Sequence, residues 1–396
     1  MGPRGTAPAQ TVNDEQITQL LQDLVRIPSV NPHGDPGTVA RNTGEARITE
    51  YVAEFLRKLA LDVELREVEP GRPNVIGKFT SRGAKRSVAF APHTDTVSIA
   101  GMAIDPFGGE VRDGKLYGRG ACDAKGSLAV MLAALANAVR QKEFREGDLD
   151  VYVCALMGEE SGNHGAKALA ESGFRVDFAI AGEPTDCRVV HTHKGALWCK
   201  VITRGRSVHG SMPEKGESAI GKMAEVVQYL LGDYTHALAK TVDPVLGQPT
   251  VNVGTIRGGT QNNIVPDYCE IEVDRRTLPG EVHEDILAAL RKTFRHLPIT
   301  TEILSDCPPL RTDPQNGFIQ KLARATGDSQ YALVGAPWFC DAGILAQYGV
   351  PAVAFGPGSI AQAHTAHEFI ELKEVLRATQ MLEGFLLSCG EPAACE

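Results

Sequence analysis

Apolar residues recur with two different periods along this chain, and the changes of period predict its secondary structure. Over 17–25 and 48–59 they recur every three or four positions, which indicates two amphipathic helices. Asn13 can cap the first helix, and Pro28 follows its C-terminal end. Short apolar runs indicate strands over 62–67, 74–79, 87–92, 149–157 and 178–181, and a longer apolar run indicates a helix over 125–140.

From about residue 196 the order of the predicted elements changes. A strand, a helix, two strands, a helix and a strand are predicted over 196–204, 217–231, 250–257, 268–276, 282–294 and 299–304. This β-α-β-β-α-β order is typical of a small two-layer domain. Before it, and again over 318–324, 352–355 and 372–387, strands and helices predict an α/β domain whose central, mostly parallel sheet is flanked by helices. We therefore expect one α/β domain formed by 14–195 and 307–396, with an inserted domain over 196–306.

Composition narrows the class of protein. The chain has 396 residues, 43% of them hydrophobic and 22% charged, which suits two globular domains. A formal net charge of −9 argues against nucleic acid or an anionic membrane as a partner, and no apolar stretch is long enough to span a bilayer. The first 13 residues lack a signal-like apolar core and predict a disordered lead-in. Nine scattered cysteines without a Cys-x-x-Cys pair favour reduced thiols and a cytoplasmic location.

Acidic and histidine residues follow several of the predicted strands. Singly, each has an ordinary explanation: Asp123, at the head of a helix, could be a cap, and the Glu159–Glu160 pair could lie in a solvated loop. Together they are more informative, because active sites of open α/β sheets lie at the carboxyl ends of the strands. The candidate residues are His93, Asp95, Asp123, Glu159, Glu160, Glu183 and His364.

Two histidines with three carboxylates suit a pair of divalent ions about 3.5–4 Å apart, as in two-metal hydrolases. Imidazole and carboxylate ligands without thiolate favour zinc, with cobalt or manganese as alternatives. Such ions lower the pKa of bound water to about 7 and polarise an amide carbonyl. A neighbouring glutamate that binds no metal could take the proton from water and pass it to the leaving amine.

Five sequence blocks occur in the order typical of one family. They are His-Thr-Asp at 93–95, Gly-Arg-Gly-Ala-Cys-Asp-Ala-Lys-Gly at 118–126, Gly-Glu-Glu-Ser-Gly at 158–162, Gly-Glu-Pro-Thr at 182–185, and a glycine loop with Ala-His-Thr at 356–365. Together they resemble the dinuclear zinc aminoacylase, carboxypeptidase and deacetylase family, which includes acetylornithine deacetylase and succinyl-diaminopimelate desuccinylase. The likeness extends from about Gln16 to the last predicted helix.

The resemblance implies a role for each matched side chain in a catalytic domain. Asp123 would bridge the two ions, and Glu159 would be the general base, with Asp95 supporting a metal-binding histidine. The implied ligands are His93 and Glu183 for one ion and Glu160 and His364 for the other.

By the same resemblance, the inserted domain is a lid that also carries a homodimer interface. His209 matches a lid histidine that stabilises the developing oxyanion in the partner's active site. Asn263 and Arg276 match positions that bind the substrate's carboxylate, and Gly358 matches a backbone contact to the same group. Each has an ordinary alternative, such as a surface strand residue for Arg276 or a loop histidine for His209.

Three other functions remain as alternatives. A nucleotide-binding oxidoreductase is suggested by Gly-Arg-Gly at 118–120, but Asp123 occupies the place of the third glycine and would repel a pyrophosphate. A cysteine hydrolase could use Cys122 with His93 as base. A non-catalytic relative could bind ligands or metal without hydrolysis, although it would have no need of Glu159.

The sequence therefore predicts a metal-dependent hydrolase of linear amide bonds in amino-acid metabolism. Its small-molecule substrate would be an N-acyl amino acid with a free carboxylate, or a dipeptide. The glycine loop at 356–364 most resembles acetylornithine deacetylases, which would place the protein in arginine biosynthesis. Desuccinylase, dipeptidase and carboxypeptidase activities stay open.

Overall fold

The computed structural model describes residues 12–33, 37–327 and 333–390, and the chain forms two compact units. Unit 1 comprises Met1–His191, Thr312–Val334 and Cys340–Glu396, and unit 2 comprises Thr192–Arg311 and Gly335–Phe339. The predicted lead-in comprises residues 1–13, and its first 11 residues lie outside the described part of the chain. Asn13 belongs to the fold, because it caps the first helix reciprocally with Gln16.

Unit 1 is an α/β structure, as the sequence predicts. Its described helices are α1 (Asp14–Arg26), α2 (Ala46–Lys58), α3 (Lys125–Ala138), α4 (Lys142–Glu146), α5 (His164–Glu171), α9 (Gly317–Ala325), α10 (Asp341–Gln347) and α11 (Leu372–Gly390). Its main-sheet strands are β1 (Asp62–Glu69), β2 (Arg72–Phe79), β3 (Arg86–Pro92), β6 (Leu149–Ala155), β7 (Phe178–Gly182) and β15 (Ala352–Phe355), with β8 (Val189–His193) next to β15. None of the described helices is long and apolar enough to cross a membrane.

The sheet order is β1-β2-β6-β3-β7-β15-β8. The four central strands, β6, β3, β7 and β15, run parallel, and the flanking strands are antiparallel. Because β3 pairs with both β6 and β7, the carboxyl ends of these three strands are neighbours. This edge is where the sequence places most of its candidate catalytic residues.

Helix α3 explains the longest apolar run in the sequence. Every residue of α3 is buried, and the helix packs against α1, α11 and the central strands. A helix enclosed on all sides needs apolar residues all round, so its sequence shows no polar face. It ends at Ala138, two residues before the predicted end.

Several short elements of unit 1 have no clear sequence signal. They are a three-stranded sheet of β4 (Glu110–Arg112), β5 (Lys115–Tyr117) and β16 (Phe369–Glu371), together with α5, α10 and β8. The three-stranded sheet joins segments about 250 positions apart in sequence, because β16 pairs with β5. Pairing of this kind depends on tertiary contacts that local periodicity does not encode.

Unit 2 has the predicted β-α-β-β-α-β order. Its main elements are β9 (Gly195–Arg204), α6 (Ala219–Tyr229), a π-helical turn (Leu230–Tyr234), α7 (Thr235–Leu238), β10 (Thr250–Gly258), β11 (Tyr268–Thr277), α8 (His283–Thr293) and β12 (Ile299–Cys307), with β13 (Leu310–Arg311) paired to the end of β8. The strand β14 (Leu333–Ala336) ends in this unit. The sheet order is β10-β11-β9-β12, entirely antiparallel, and Leu197, Cys199 and Val201 of β9 pack with α6 and α8 in one core.

Candidate active site

The two carboxylate oxygens of Asp123 face two different histidines. Nε2 of His93 lies 3.2 Å from Oδ1, and Nε2 of His364 lies 3.2 Å from Oδ2. The same His364 nitrogen lies 3.3 Å from Oε2 of Glu160. Ligand atoms of His93, Asp123 and Glu160 all lie within 4.8 Å of one another, as a metal ion would require. This convergence brings together residues from three separate segments of the chain.

The parallel strands explain why these side chains meet. His93 follows β3 directly, and Glu183 follows β7, which pairs with β3. Glu160 follows β6, the other neighbour of β3. Asp123 lies just before α3, the helix that packs behind these strands. The carboxyl ends of neighbouring parallel strands thus bring potential metal ligands close together.

The turn that carries Glu159 and Glu160 is held by Asp95. Oδ1 of Asp95 accepts a hydrogen bond from the Glu159 N–H at 3.0 Å, and Oδ2 accepts one from the Glu160 N–H at 3.1 Å. The flanking Gly158 and Gly162 have φ of +71° and +106°, which side chains with a Cβ rarely adopt. The turn therefore aims two adjacent carboxylates in a fixed way.

Asp95 contacts His93 differently from a simple carboxylate–imidazole pair. Nδ1 of His93 donates to the backbone carbonyl of Asp95 at 3.1 Å, whereas the Asp95 carboxylate is 3.5 Å away. Donation from Nδ1 leaves the lone pair on Nε2, the nitrogen that faces Asp123. Asp95 thus sets the imidazole tautomer mainly through its main chain.

The carboxylates of this site are buried and repel one another. Burial raises the pKa of Glu160 to about 7, and burial with the nearby charge of Glu183 raises the pKa of Glu159 well above its ordinary range. Burial also raises the pKa of Glu183 well above its ordinary range. His93 responds in the opposite direction: burial would lower its pKa, but the bonds to Asp123 and Asp95 raise it well above normal. Cations would relieve this repulsion.

The donor set fits a divalent metal centre. Oε1 of Glu160 is buried and has no hydrogen-bond partner in the described part of the chain. Glu183 is also buried, and within the described residues no side chain donates a hydrogen bond to its carboxylate. Buried acceptors without donors are costly unless something else satisfies them. Two imidazoles and three carboxylates are suitable ligands for zinc or similar ions.

Glu368 orients Asp123, although no sequence motif marks Glu368. Its Oε1 accepts hydrogen bonds from the N–H groups of Cys122 and Asp123, each at 3.0 Å. Its Oε2 pairs with Arg119 at 2.6 Å, and both side chains are buried. The loop before α3 is therefore fixed by a residue 245 positions away in the sequence.

Asn163 and Asp341 form a second supporting pair. Nδ2 of Asn163 donates to Oε1 of Glu159 at 3.3 Å and to Oδ1 of Asp341 at 2.9 Å. Asp341 is 1% exposed, and burial raises its pKa to about 6. The pair lies against the candidate general base and was not foreseen from the sequence, because Asp341 follows no recognisable motif.

Cys122 does not suit a nucleophile. It is fully buried, its Sγ donates to the carbonyl of Ser359 at 3.4 Å, and burial raises the pKa of its thiol well above the ordinary value. A reactive cysteine needs an accessible thiolate. The cysteine-hydrolase alternative is therefore disfavoured.

Three candidate residues belong to unit 2, whereas the carboxylate cluster belongs to unit 1. His209 is exposed, and its Nδ1 is 2.7 Å from Oγ of Ser211. Asn263 is also exposed, with its carbonyl accepting the N–H of Gly210. Arg276 is paired with Asp274. Their roles in substrate binding stay predictions.

Gly358 lies in unit 1 and has φ of +82°, a conformation suited to glycine. Its N–H donates to Oε2 of Glu374 at 3.1 Å. Added side-chain atoms at this position would also collide with Sγ of Cys122, 2.6 Å from an ideal Cβ. The Gly358 N–H, which was expected to bind the substrate's carboxylate, is thus already bonded to Glu374. The close packing explains why glycine occupies this position.

His193 is a structural histidine, and its burial should make the folded state less stable in acid. Its Nδ1 donates to the Lys194 carbonyl at 2.9 Å, and its buried Nε2 has no partner in the described residues. Burial lowers its pKa from 6.5 to about 4. Below pH 6.5 His193 is protonated in the unfolded chain but stays neutral in the folded chain. The free energy of unfolding therefore falls as the pH drops towards 4, by up to about 3 kcal/mol.

The test compares urea unfolding of the wild type and His193→Gln at pH 7, 6, 5 and 4.5, in a chelator. We expect the variant to lose less stability on acidification than the wild type. His296→Gln, at an exposed histidine whose side chain is 64% accessible, is the control and should follow the wild type. Parallel curves for wild type and His193→Gln would contradict the assignment.

The chain is similar to several known proteins. The family described as "Peptidase family M20/M25/M40" matches residues 89–388. A curated relative from Halalkalibacterium halodurans, N-formyl-4-amino-5-aminomethyl-2-methylpyrimidine deformylase, is 27% identical over 94% of each chain. Two solved structures share the fold. Aminopeptidase PepT from Bacillus cereus has a TM-score of 0.75 at 22% identity, covering 95% of this chain and 98% of its own. The Bacillus subtilis YXEP protein, described as a dinuclear metal binding peptidase, has a TM-score of 0.69 at 16% identity, covering 95% and 98%.

Proposed function

The chain belongs to the Peptidase family M20/M25/M40, whose members hydrolyse amide bonds, and on that premise we propose that it removes an N-acyl group from an amino acid with a free carboxylate. The observation that carries the proposal is Asp123, whose two oxygens each face a different histidine. A bridging carboxylate of this kind suits a pair of ions better than a single one.

The residues of unit 1 would hold two divalent ions, with zinc preferred and cobalt or manganese as alternatives. We assign His93 and Glu183 to one ion and Glu160 and His364 to the other, with Asp123 between them. When bound, such ions supply Lewis acidity towards the amide carbonyl and lower the pKa of water. The buried, unpartnered Oε1 of Glu160 supports this assignment.

Glu159 is the proposed general base. A carboxylate that binds no metal can accept a proton from water and deliver it to the leaving amine. Asp95 fixes its backbone, and Asn163 donates to one carboxylate oxygen, so the side chain is held in one orientation. Glu160, one residue further on, has the metal-binding role instead.

Substrate recognition is assigned to unit 2. Arg276 and Asn263 would bind the free carboxylate, and His209 would stabilise the oxyanion that develops at the amide carbonyl. We also propose a homodimer through unit 2, which sedimentation of the purified chain tests directly. These roles follow from the matched sequence blocks.

A substrate panel tests the proposed reaction. N-acetylornithine is included because the glycine loop resembles that of acetylornithine deacetylases. It is compared with N-succinyl-diaminopimelate, simple dipeptides and other N-acetyl amino acids. Each substrate is assayed with added zinc and with a chelator. We expect metal-dependent release of a free amine from an N-acyl amino acid. Full activity in the chelator, or hydrolysis of dipeptides alone, would contradict the proposal.

Deformylation is a second candidate. The curated relative that covers 94% of this chain is named as a deformylase of an aminomethylpyrimidine. A substrate of that class has a planar ring and no carboxylate, so it would not need Arg276. An N-formyl aminomethylpyrimidine is therefore added to the panel, and Arg276→Met distinguishes the two: it should impair only the carboxylate-bearing substrates.

A further inference from the structure

One face of the unit 2 sheet carries a group of side chains that the core does not use. Leu197 and Cys199 of β9 point towards α6 and α8, so the intervening Trp198 points the other way and is 40% exposed. In the register of β9 with β11, Trp198 lies opposite Asp274. Arg276, two residues further along β11, shares that face. We call this side of the sheet the open face.

Aromatic rings accumulate beside Arg276 on the open face. The Phe339 ring lies edge-to-face with Trp198, with centroids 6.1 Å apart and planes at 81°. The guanidinium of Arg276 lies 5.6 Å from the centroid of the same Phe339 ring. Both Phe339 and Trp198 therefore keep ring surface that core residues do not cover, since Trp198 is exposed and Phe339 is half-buried. Rings arranged in this way favour a further aromatic partner.

Arg276 is held so that one edge of its guanidinium stays available. Nε and Nη2 both donate to Oδ2 of Asp274, at 3.2 and 3.0 Å. In the part of the chain that the structure describes, no group accepts a hydrogen bond from Nη1. Contact with Phe339 fixes the plane of the guanidinium. A fixed fork with a free edge is a good receptor for a carboxylate.

Lys194 adds a positive charge near Arg276 that no described carboxylate pairs with. Arg276 pairs with Asp274, and Arg275 pairs with Glu281. Lys194 is buried, and among the described residues its ammonium donates only to the carbonyl of Gln248. Burial, with the charges of Arg275 and Arg276, lowers the pKa of Lys194. An anionic group is attracted here, whereas the ammonium of an ornithine side chain is not.

We propose that Arg276, Phe339 and Trp198 form a subsite for an aromatic side chain on a substrate that also carries a carboxylate. The carboxylate binds the free edge of Arg276, and the aromatic side chain packs on the rings of Phe339 and Trp198. The subsite selects N-acyl aromatic amino acids over aliphatic and cationic ones, so it argues against the N-acetylornithine preference suggested by the glycine loop. It rests on the proposed function, because the group it recognises belongs to the amide substrate.

The kinetic test uses the zinc-loaded enzyme with N-acetylphenylalanine, N-acetylnorleucine and N-acetylornithine. The wild type should prefer the aromatic substrate in kcat/KM. Phe339→Leu and Trp198→Leu should each lower kcat/KM for N-acetylphenylalanine about tenfold, mainly through KM, and change N-acetylnorleucine by about twofold or less. Phe339→Tyr, which retains an aromatic ring, should keep the preference for N-acetylphenylalanine that Phe339→Leu loses. Tyr229→Leu removes an aromatic ring from the helical side of the same unit and should leave the ratio unchanged.

A binding test is independent of turnover. The chain has two tryptophans, Trp198 and Trp338, and both lie in unit 2. N-acetyl-4-nitrophenylalanine should quench their fluorescence on binding, and the corresponding amide without a carboxylate should bind about tenfold more weakly. Arg276→Met should abolish that difference, and Trp198→Leu should remove most of the quenching.

The outcomes separate the subsite from the reaction. Hydrolysis of N-acyl amino acids without an aromatic preference would overturn the subsite and leave the proposed function intact. Carboxylate-dependent quenching without hydrolysis would support the subsite and overturn the function. If the leucine variants weakened all three substrates equally, Phe339 and Trp198 would be structural only, and the proposal would be wrong.

Discussion

Replacement of Glu159 by glutamine is expected to lower kcat by about 10²–10⁴-fold while the metal content stays unchanged. Glutamine keeps the shape and can still accept the hydrogen bond from Asn163, but it cannot take a proton from water. Because Glu159 is not among the proposed ligands, both ions should remain. The measurements are kcat on the best N-acyl amino acid of the panel and zinc per chain by elemental analysis.

The control for this variant is Glu110→Gln, at an exposed glutamate of β4, which should retain wild-type kcat and zinc. Near-normal turnover in Glu159→Gln would rule out its role as the base. Loss of zinc from this variant would show instead that Glu159 is a ligand, and the roles of Glu159 and Glu160 would have to be reconsidered.

Replacement of Asp123 by asparagine should release both ions and abolish activity. Asp123 is the one side chain placed between the two histidines, so the amide nitrogen of asparagine would face one of them whichever way it turns. The fold should survive, because the main chain of Asp123 stays bonded to Glu368. Elemental analysis after dialysis and circular dichroism measure these two results.

Asp341→Asn is the matched control, because Asp341 is a buried aspartate like Asp123 but is assigned no ligand role. It should keep two ions per chain. If Asp123→Asn also kept both ions, Asp123 would not be the bridge. If Asp341→Asn lost one, the ligand set proposed above would be incomplete.

Local sequence patterns predicted the elements that have a strong period of their own. The apolar alternation of β9 and β11 and the helical period of α1 and α2 all appear in the structure within a few residues. The completely buried α3 was also recognisable, because its apolar run is too long for a strand. In contrast, β16 is three residues long and exists because β5 lies beside it, so no local signal marks it.

The candidate site divides in the same way. His93, Glu160 and Glu183 follow strands that pair in parallel, so their convergence follows from the fold class. Asp341 and Glu368 act through contacts with residues 178 and 245 positions away, and neither sits in a recognisable motif. Such residues can be found only once the chain is folded. The Asp95 carboxylate likewise binds the backbone of the Glu159 turn, a contact that its spacing from His93 does not reveal.

The central claim is that distant side chains of unit 1 gather two divalent ions around Asp123. The most direct measurement is a crystal structure of the zinc-loaded chain with an anomalous difference map at the zinc edge. We predict two peaks that share Asp123, one bound by His93 and Glu183 and the other by Glu160 and His364. A map without a peak at Asp123, or with its zinc bound elsewhere on the chain, would contradict the account.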